Sequence, residues 1–207
     1  MLNALRVPAA EKDSRWVMLV LHGLGDSLAG YRWLPEALGL PWLHYHLVNA
    51  PDHYFGGYSW YDFAGEPAPG IHRSRQKLFE TLDELKKEGF PPSQTYLFGF
   101  SQGCLMTLEV GLQYPELLAG CVGISGYAHE PERLVRDMAP VARQQRFLVT
   151  HGTHDPLIPI EPVRGQMRFL LAAGAHIMWR EFAKDHTIAG EEELEVIRTF
   201  VTACRSA

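Results

Sequence analysis

Segments typical of buried strands alternate with helical patterns along most of this chain. The run Trp16–Leu21 is apolar throughout, which is typical of a strand covered on both faces. Later strand-like runs are each followed by residues with helical spacing. This alternation predicts an α/β fold with a mostly parallel sheet and helices on both faces. In such sheets ligands bind at the carboxyl ends of the strands, so functional side chains are expected there.

The patterns place strands at residues 16–21, 43–48, 95–100, 119–124, 146–150 and 175–182. Helices are expected at residues 31–38, 71–88, 102–114, 130–138, 161–173 and 191–202. The 207 residues suffice for one sizeable core, and no linker or internal repeat divides them. We therefore predict a single domain over residues 1–207.

The pentapeptide Gly99-Phe100-Ser101-Gln102-Gly103 lies between a predicted strand and a predicted helix. Gly-x-Ser-x-Gly in this position is the nucleophile-elbow pattern, in which the serine sits on a very tight turn. Side chains two positions before and after the serine would collide with neighbouring backbone, so glycine is favoured at both. We interpret Ser101 as a nucleophile with the amide of Gln102 beside it. The alternative is an ordinary glycine-rich or phosphate-binding turn, although the Gly-x-x-x-x-Gly-Lys-Ser/Thr pattern is absent.

Three further candidate residues also follow predicted strands. Leu24 lies in a glycine-containing turn after the first apolar run, where its amide is a candidate second donor to an oxyanion. Asp155 and His186 each follow a later strand. Serine, aspartate, histidine is the chain order of an α/β-hydrolase triad. Because a neutral serine hydroxyl is a poor nucleophile, His186 would act as general base, and Asp155 would orient it and stabilise its charged form.

The longest irregular stretch, residues 49–70, is rich in aromatic residues. Long loops in compact domains are usually functional or disordered, and the aromatic content argues against disorder. We interpret this stretch as one wall of an apolar acyl pocket, with Trp60 in that wall and with Leu157 and Ile188 as further substrate-binding residues. Whether residues 52–70 act as a lid is left open. The alternatives are that the aromatic residues only cover the core, or that they form a dimer contact or a membrane-touching surface.

Composition excludes several classes of protein. The formal charge of −5 and the pI of about 6.0 do not suggest the basic surface that nucleic-acid partners favour. No apolar run approaches the ~20 residues needed to span a bilayer, and the first residues lack the features of a signal peptide. The three cysteines are odd in number and widely spaced, which fits free thiols in a reducing compartment. We therefore expect a cytoplasmic protein without stable membrane insertion.

Histidine pairs raise the question of a metal site. His44 and His46 share one face of a predicted strand, and His151 and His154 lie close to Asp155 in the sequence. The first pair has no evident third ligand with suitable spacing, and the second set is not favoured either. We expect structural histidines, with no metal and no cofactor.

The sequence resembles the phospholipase/carboxylesterase family, which includes the acyl-protein thioesterases and small bacterial carboxylesterases. The matching segments span nearly the whole chain, at residues 22–26, 49–51, 59–62, 99–103, 151–156 and 186–188. The resemblance implies an α/β-hydrolase fold without a large cap domain. It also implies the triad Ser101, Asp155 and His186, with the amides of Leu24 and Gln102 as oxyanion-hole donors. The implied substrates are carboxylic esters or thioesters with apolar acyl chains.

Three features depart from the family pattern: Cys104, Asp185 and the segment Asp52-His53-Tyr54-Phe55. All of them leave the triad residues unchanged. Because the last one alters the expected pocket wall, it bears on substrate preference rather than on the reaction.

These observations favour a serine carboxylesterase that hydrolyses short-to-medium acyl esters through an acyl-enzyme on Ser101, with thioesters and lysophospholipids as further candidate substrates. A dienelactone-hydrolase-like activity is an alternative, but such enzymes resemble this fold with a cysteine as nucleophile. A peptidase is another, although no extra domain is evident. A non-catalytic binding module is the alternative from a different functional class. The loss of a triad residue would indicate such a module, and no triad residue is missing. The expected partner is a small ester or acylated substrate and not a nucleic acid, and a homodimer is left open.

Overall fold

The computed structural model describes residues 2–205. In chain order the strands are β1 (Ala4–Val7), β2 (Trp16–Leu21), β3 (Leu43–Val48), β4 (Asp52–Tyr54), β5 (Gly57–Ser59), β6 (Thr95–Phe100), β7 (Gly120–Ile124), β8 (Arg146–Gly152) and β9 (His176–Phe182). The α-helices are α1 (Leu34–Leu38), α2 (Pro67–Lys87), α3 (Gln102–Gln113), α4 (Pro131–Arg136), α5 (Ile160–Ala172) and α6 (Glu191–Thr202). Short 3-10 turns lie at Leu28–Tyr31, Pro92–Gln94 and Pro140–Arg143.

One sheet of seven strands organises the molecule, in the order β1-β3-β2-β6-β7-β8-β9. Every neighbouring pair in it is parallel except β1 and β3, which are antiparallel. The prediction of a mostly parallel sheet is confirmed. The sequence analysis does not predict β1, because this edge strand has only four residues and none of them is fully buried.

Two hydrophobic cores lie on opposite faces of the sheet. Along β2, Leu19 and Leu21 belong to one core, whereas Met18 and Val20 belong to the other. Successive side chains of a strand point to opposite faces, so an all-apolar strand needs cover on both sides. Helices α2, α3, α4 and α5 pack on the first face, and α1 and α6 pack on the second. The prediction of helices on both faces is confirmed.

Helix α3 is the most deeply placed helix, with every residue from Gln102 to Leu112 buried. This agrees with its nearly all-round apolar sequence. Its first turn follows directly on β6, a strand with neighbours on both sides in the sheet. The residue between them, Ser101, is therefore held at the carboxyl edge of the sheet by buried elements.

The stretch at residues 49–70 differs from the expectation of a long irregular loop. It contains the antiparallel hairpin β4–β5, and α2 begins at Pro67 instead of at Ile71. Proline is favoured at the first helical position because its fixed φ suits a helix and its missing N–H would have no partner there. The strands of the hairpin have three residues each, which is too short for a recognisable alternation. The helix expected at residues 31–38 is also split, into a 3-10 turn and α1.

Candidate active site

The turn at Ser101 has the geometry that its glycines predict. Its backbone angles, φ 55° and ψ −115°, lie where residues other than glycine are rarely found. A Cβ on Gly99 would lie 2.1 Å from the carbonyl oxygen of Gly103, and a Cβ on Gly103 would lie 2.3 Å from that of Leu21. The close approach of these backbone segments requires glycine at both positions. The Ser101 N–H also donates to the carbonyl of Ile124 at 2.8 Å, which ties the turn to β7.

The structure brings Ser101, His186 and Asp155 into one hydrogen-bonded chain. His186 Nε2 lies 2.9 Å from Ser101 Oγ, and His186 Nδ1 lies 2.7 Å from Asp155 Oδ2. A carboxylate only accepts hydrogen bonds, so the neutral imidazole carries its proton on Nδ1 and donates it to Asp155. Nε2 is then free to accept the hydroxyl proton of Ser101. Only 13% of the His186 side chain is exposed, so solvent reaches this chain from one side.

Asp155 is held ionised by the loop in which it lies. Its side chain is buried, and burial alone would raise the pKa of a carboxyl group. This effect is outweighed, because Oδ1 accepts the backbone N–H groups of Ile158 at 2.9 Å and Leu157 at 3.0 Å while Oδ2 accepts from His186. The net effect is that the pKa of Asp155 lies below its usual value. The aspartate therefore stays negatively charged next to His186.

The two residues expected to supply oxyanion-hole amides, Leu24 and Gln102, lie at the same site. Both residues line one cavity together with Ser101. Within residues 2–205, neither amide donates a hydrogen bond to a protein acceptor. The turn that contains Leu24 continues into Gly25, whose φ of 77° lies in the left-handed region that favours glycine. Two free N–H groups beside a serine oxygen are a suitable arrangement for binding negative charge that develops on a substrate oxygen.

The side chain of Gln102 has a role that the sequence analysis missed. Its Oε1 accepts the Trp60 N–H at 2.9 Å and the Ser59 hydroxyl at 3.2 Å, and its Nε2 donates to the Tyr61 carbonyl at 3.1 Å. The residue thus connects the start of α3 to residues 59–61. The available signal was the presence of a polar, amide-bearing side chain at the first position of an otherwise apolar helix.

Trp60 does not line the pocket, contrary to the expectation from the sequence. Its side chain is fully buried, and its Nε1–H donates to the carbonyl of His22 at 2.9 Å. The ring of His22 packs beside it with centroids 5.6 Å apart. The physical reason is that Gln102 binds the Trp60 backbone while the His22 carbonyl binds the indole, so the side chain is held in the interior. Trp60 therefore supports the site instead of contacting substrate.

An apolar cavity of about 420 Å³ opens beside Ser101. Leu157, expected as a substrate-binding residue, lines it and is 71% exposed. The Phe and Tyr side chains in its wall are Tyr31, Tyr61, Phe63, Phe100 and Tyr127. Phe63 comes from the stretch at residues 49–70, so that stretch does supply part of the wall.

Ile188 does not share this cavity. It lines a second cavity of about 380 Å³, which also contacts His186 but not Ser101. The two cavities have Asp26, Tyr31, Phe100 and His186 in common. Of the two residues expected to bind substrate here, Leu157 therefore lines the cavity next to Ser101, whereas Ile188 lines the other cavity next to His186.

Four other histidines, His22, His44, His46 and His151, form side-chain hydrogen bonds within the fold. His44 accepts the Ala9 N–H at 3.1 Å, and His151 Nε2–H donates to the Ile158 carbonyl at 2.9 Å. Burial lowers the pKa of His22, His46 and His151, so these side chains stay neutral. Among residues 2–205, no three His, Cys, Asp or Glu side chains are grouped so that they could hold a metal ion.

One known protein family matches nearly the whole chain. Residues 2–205 match the phospholipase/carboxylesterase family. The chain belongs to this family. Acyl-protein thioesterase 1 of Schizosaccharomyces pombe is 33% identical to it over 156 residues, which are 69% of each chain. Acyl-protein thioesterase 1 of Kluyveromyces lactis is 33% identical over 181 residues, which are 77% of this chain and 78% of that protein.

Solved structures agree with the family membership. The crystal structure of esterase PE8 matches this one with a TM-score of 0.84 at 25% identity, covering 98% of this chain and 99% of that one. The fold is therefore that of the α/β-hydrolases, and the protein is a hydrolase of the esterase and thioesterase family that acts on ester bonds. In the part of the chain that the structure describes, no helix is both long enough and apolar enough to cross a membrane.

Proposed function

We propose that this member of the phospholipase/carboxylesterase family is a serine carboxylesterase, with Ser101 as nucleophile, His186 as general base and acid, and Asp155 as the residue that orients His186. The observation that carries the proposal is the hydrogen-bonded chain from Ser101 Oγ through His186 to Asp155. Its two distances, 2.9 and 2.7 Å, are within the reach that proton transfer requires.

The first half of the reaction forms an acyl-enzyme. Ser101 Oγ attacks the ester carbonyl carbon while its proton moves to His186 Nε2. The carbonyl oxygen takes up the negative charge and is bound by the amides of Leu24 and Gln102, each worth about 3 kcal/mol in comparable sites. The ionised Asp155 stabilises the imidazolium. The carbon–oxygen bond to the alcohol then breaks, and His186 returns the proton to the departing oxygen.

The second half of the reaction releases the acid. A water molecule donates its proton to His186 Nε2 as its oxygen attacks the acyl carbon. The bond to Ser101 Oγ breaks, the serine oxygen regains its proton from His186, and a carboxylic acid leaves. A thioester reacts in the same way, with a thiol as leaving group.

The apolar cavity beside Ser101 supports short-to-medium acyl chains as substrates. Its volume of about 420 Å³ is within the range of small-ligand pockets, and its wall is mainly aromatic and aliphatic. Two relatives are named acyl-protein thioesterase 1 and the family description includes phospholipases, so thioesters and lysophospholipids are included in the proposed substrate class.

The test is hydrolysis of p-nitrophenyl esters with acyl chains of about two to twelve carbons, by wild type and by Ser101→Ala in parallel. We expect a loss of at least ~10³-fold in kcat for the variant, because only oxyanion binding and substrate positioning remain. The best chain length then measures the acyl pocket.

Labelling with a fluorophosphonate probe provides a second readout. Wild type should form one covalent adduct, and Ser101→Ala should form none. Hydrolysis that is equal in both proteins, or labelling that persists in the variant, would exclude Ser101 as nucleophile. A protein that neither hydrolyses the esters nor takes up the probe would fit a binding module instead.

A further inference from the structure

The second cavity contacts His186 and adjoins the acyl pocket, with which it also shares Asp26, Tyr31 and Phe100. It contacts His186, Thr187 and Ile188 but not Ser101, Leu24 or Gln102. In the proposed reaction His186 gives its proton to the departing alcohol or thiol, so the leaving group must lie next to this side chain. The second cavity contacts His186 and is therefore in a suitable place to hold the leaving group.

The walls of this cavity combine aromatic faces with one carboxylate. Tyr31 and Trp33 are stacked with ring centroids 6.4 Å apart, and Phe100 and Trp33 both line the cavity. Asp26 contributes the carboxylate, and no lysine or arginine is among the described residues that line the cavity. Asp26 also lines the acyl pocket, whose further lining includes the apolar side chains of Phe63, Leu157 and Ile158.

The Asp26 carboxylate is positioned for an external partner. Its side chain is exposed, and Oδ1 accepts the backbone N–H of Ser27 at 2.7 Å. Gly30 leaves room for it, because a Cβ there would lie 2.3 Å from Asp26 Oδ1. Its charge also reaches the cavity wall: burial, and then the negative charge of Asp26, raise the pKa of the Tyr31 hydroxyl.

A carboxylate and aromatic ring faces in one cavity attract a cation by two different interactions. The carboxylate attracts it by charge, and the electron-rich ring faces attract it by the cation–π interaction, which favours quaternary ammonium groups in particular. We propose that the second cavity is a leaving-group subsite, in which Asp26 and Trp33 select ester and thioester substrates whose leaving group carries a positive charge. This proposal rests on the proposed function, since it assigns one side of the same site.

The test uses two esters with the same acyl chain and leaving groups of equal shape. Octanoylcholine carries a quaternary ammonium, and 3,3-dimethylbutyl octanoate has a neutral carbon in its place. We expect wild type to prefer the choline ester by at least about fivefold in kcat/KM. Asp26→Asn, which keeps an oxygen for the Ser27 N–H, should lower this ratio towards one. Trp33→Leu, which keeps an apolar side chain without a ring face, should lower it partly.

Two controls make the result specific. Glu80→Gln removes a negative charge from an exposed position on α2, far along the chain from the cavity, and should leave the ratio unchanged. With wild type alone, about 0.5 M salt should reduce the preference, because an exposed charge is screened. The salt measurement uses only wild type, so its result does not depend on whether a variant folds.

The outcomes separate the two proposals. Ser101-dependent hydrolysis of p-nitrophenyl octanoate with a choline preference near one would overturn the subsite and leave the esterase proposal standing. A choline preference that is insensitive to both Asp26→Asn and salt would also overturn it. No hydrolysis of any ester by wild type would overturn the proposed function first.

Discussion

The inner wall of the site and its outer rim are built in different ways. The inner wall, made by Ser101, Gln102, Asp155 and His186, is mostly buried, and each of these side chains has a hydrogen-bond partner. The rim, made by Phe63 and Leu157, is 65% and 71% exposed. Hydrogen bonds fix the distances on which proton transfer depends, whereas the rim offers apolar contact without a fixed partner. The reaction and the choice of substrate should therefore respond to different substitutions.

The largest effect is expected from Asp155→Asn in the inner wall. The amide cannot accept the Nδ1 proton of His186 as the carboxylate does, so the imidazole adopts the wrong tautomer. We expect kcat on p-nitrophenyl butyrate to fall by ~10⁴-fold with KM changed little. Steady-state kinetics measure this, and circular dichroism checks the fold. A fall of less than tenfold would show that the carboxylate does not determine the tautomer of the His186 imidazole.

Gly99→Ala should destabilise the fold itself. The added Cβ would lie 2.1 Å from the Gly103 carbonyl oxygen, so the backbone at the turn must shift. We expect a loss of at least about 3 kcal/mol in the free energy of unfolding, measured with urea. Gly165→Ala is the matched control, because a Cβ there meets nothing within 4 Å and alanine is favoured in a helix. Similar losses in both variants would contradict the steric explanation.

Gln102→Ala removes one side chain of the inner wall but keeps the backbone amide proposed for the oxyanion hole. The Trp60 N–H loses its partner in the interior, and the Tyr61 carbonyl keeps only the Ser59 hydroxyl as a donor. A loss of about 2 kcal/mol in unfolding free energy is expected, together with a fall of about tenfold in kcat. The exposed Gln144→Ala should change stability by less than about 0.5 kcal/mol. If Gln102→Ala were as harmless as that control, the connection to residues 59–61 would not support the site.

Acid should weaken the protein through its buried histidines. Burial, and then the positive charge of Arg6, lower the pKa of His46 to about 4. Between about pH 6.5 and this value the unfolded chain binds a proton that the folded protein does not, so stability falls as pH decreases. His46→Gln should recover about 1 kcal/mol of the stability lost between pH 7 and pH 5. Thermal unfolding at both pH values measures this, and an equal loss in variant and wild type would exclude His46 as a contributor.

The smallest effect is expected at the rim. Leu157→Ala removes an exposed side chain from the cavity wall, so stability should change by less than about 0.5 kcal/mol. The kcat/KM for p-nitrophenyl octanoate should fall about threefold relative to the acetate, since only the longer chain reaches the rim. An equal effect on both esters would place Leu157 in the support of Asp155 instead of in contact with the acyl chain.

The strands and helices with a long apolar pattern could be predicted from the sequence. The bounds of β2, β3, β6 and α6 follow from their apolar patterns. The three side chains that meet at the site could also be proposed, because each follows a strand and parallel strands end at the same edge. The short edge strand β1 and the hairpin β4–β5 could not, since three or four residues carry too little pattern.

The direction of side chains in the irregular segments also could not be predicted from the sequence. Trp60 and Phe63 belong to the same aromatic stretch, yet one is fully buried and the other is 65% exposed. The difference arises from the hydrogen bonds of Gln102 to residues 59–61, which join parts of the chain more than forty positions apart. Similarly, the sequence does not reveal that Ile188 and Leu157 line different cavities, because this depends on the path of the loop after β9.

The connection through Gln102 has a consequence for the motions of the protein. Residues 59–61 cannot leave the interior without breaking the bonds that also fix the start of α3. Their opening and the displacement of the Gln102 amide are therefore one cooperative event. The backbone amide hydrogen of Trp60 should exchange with deuterium as slowly as those of α3, and much more slowly than those at the tip of the neighbouring hairpin.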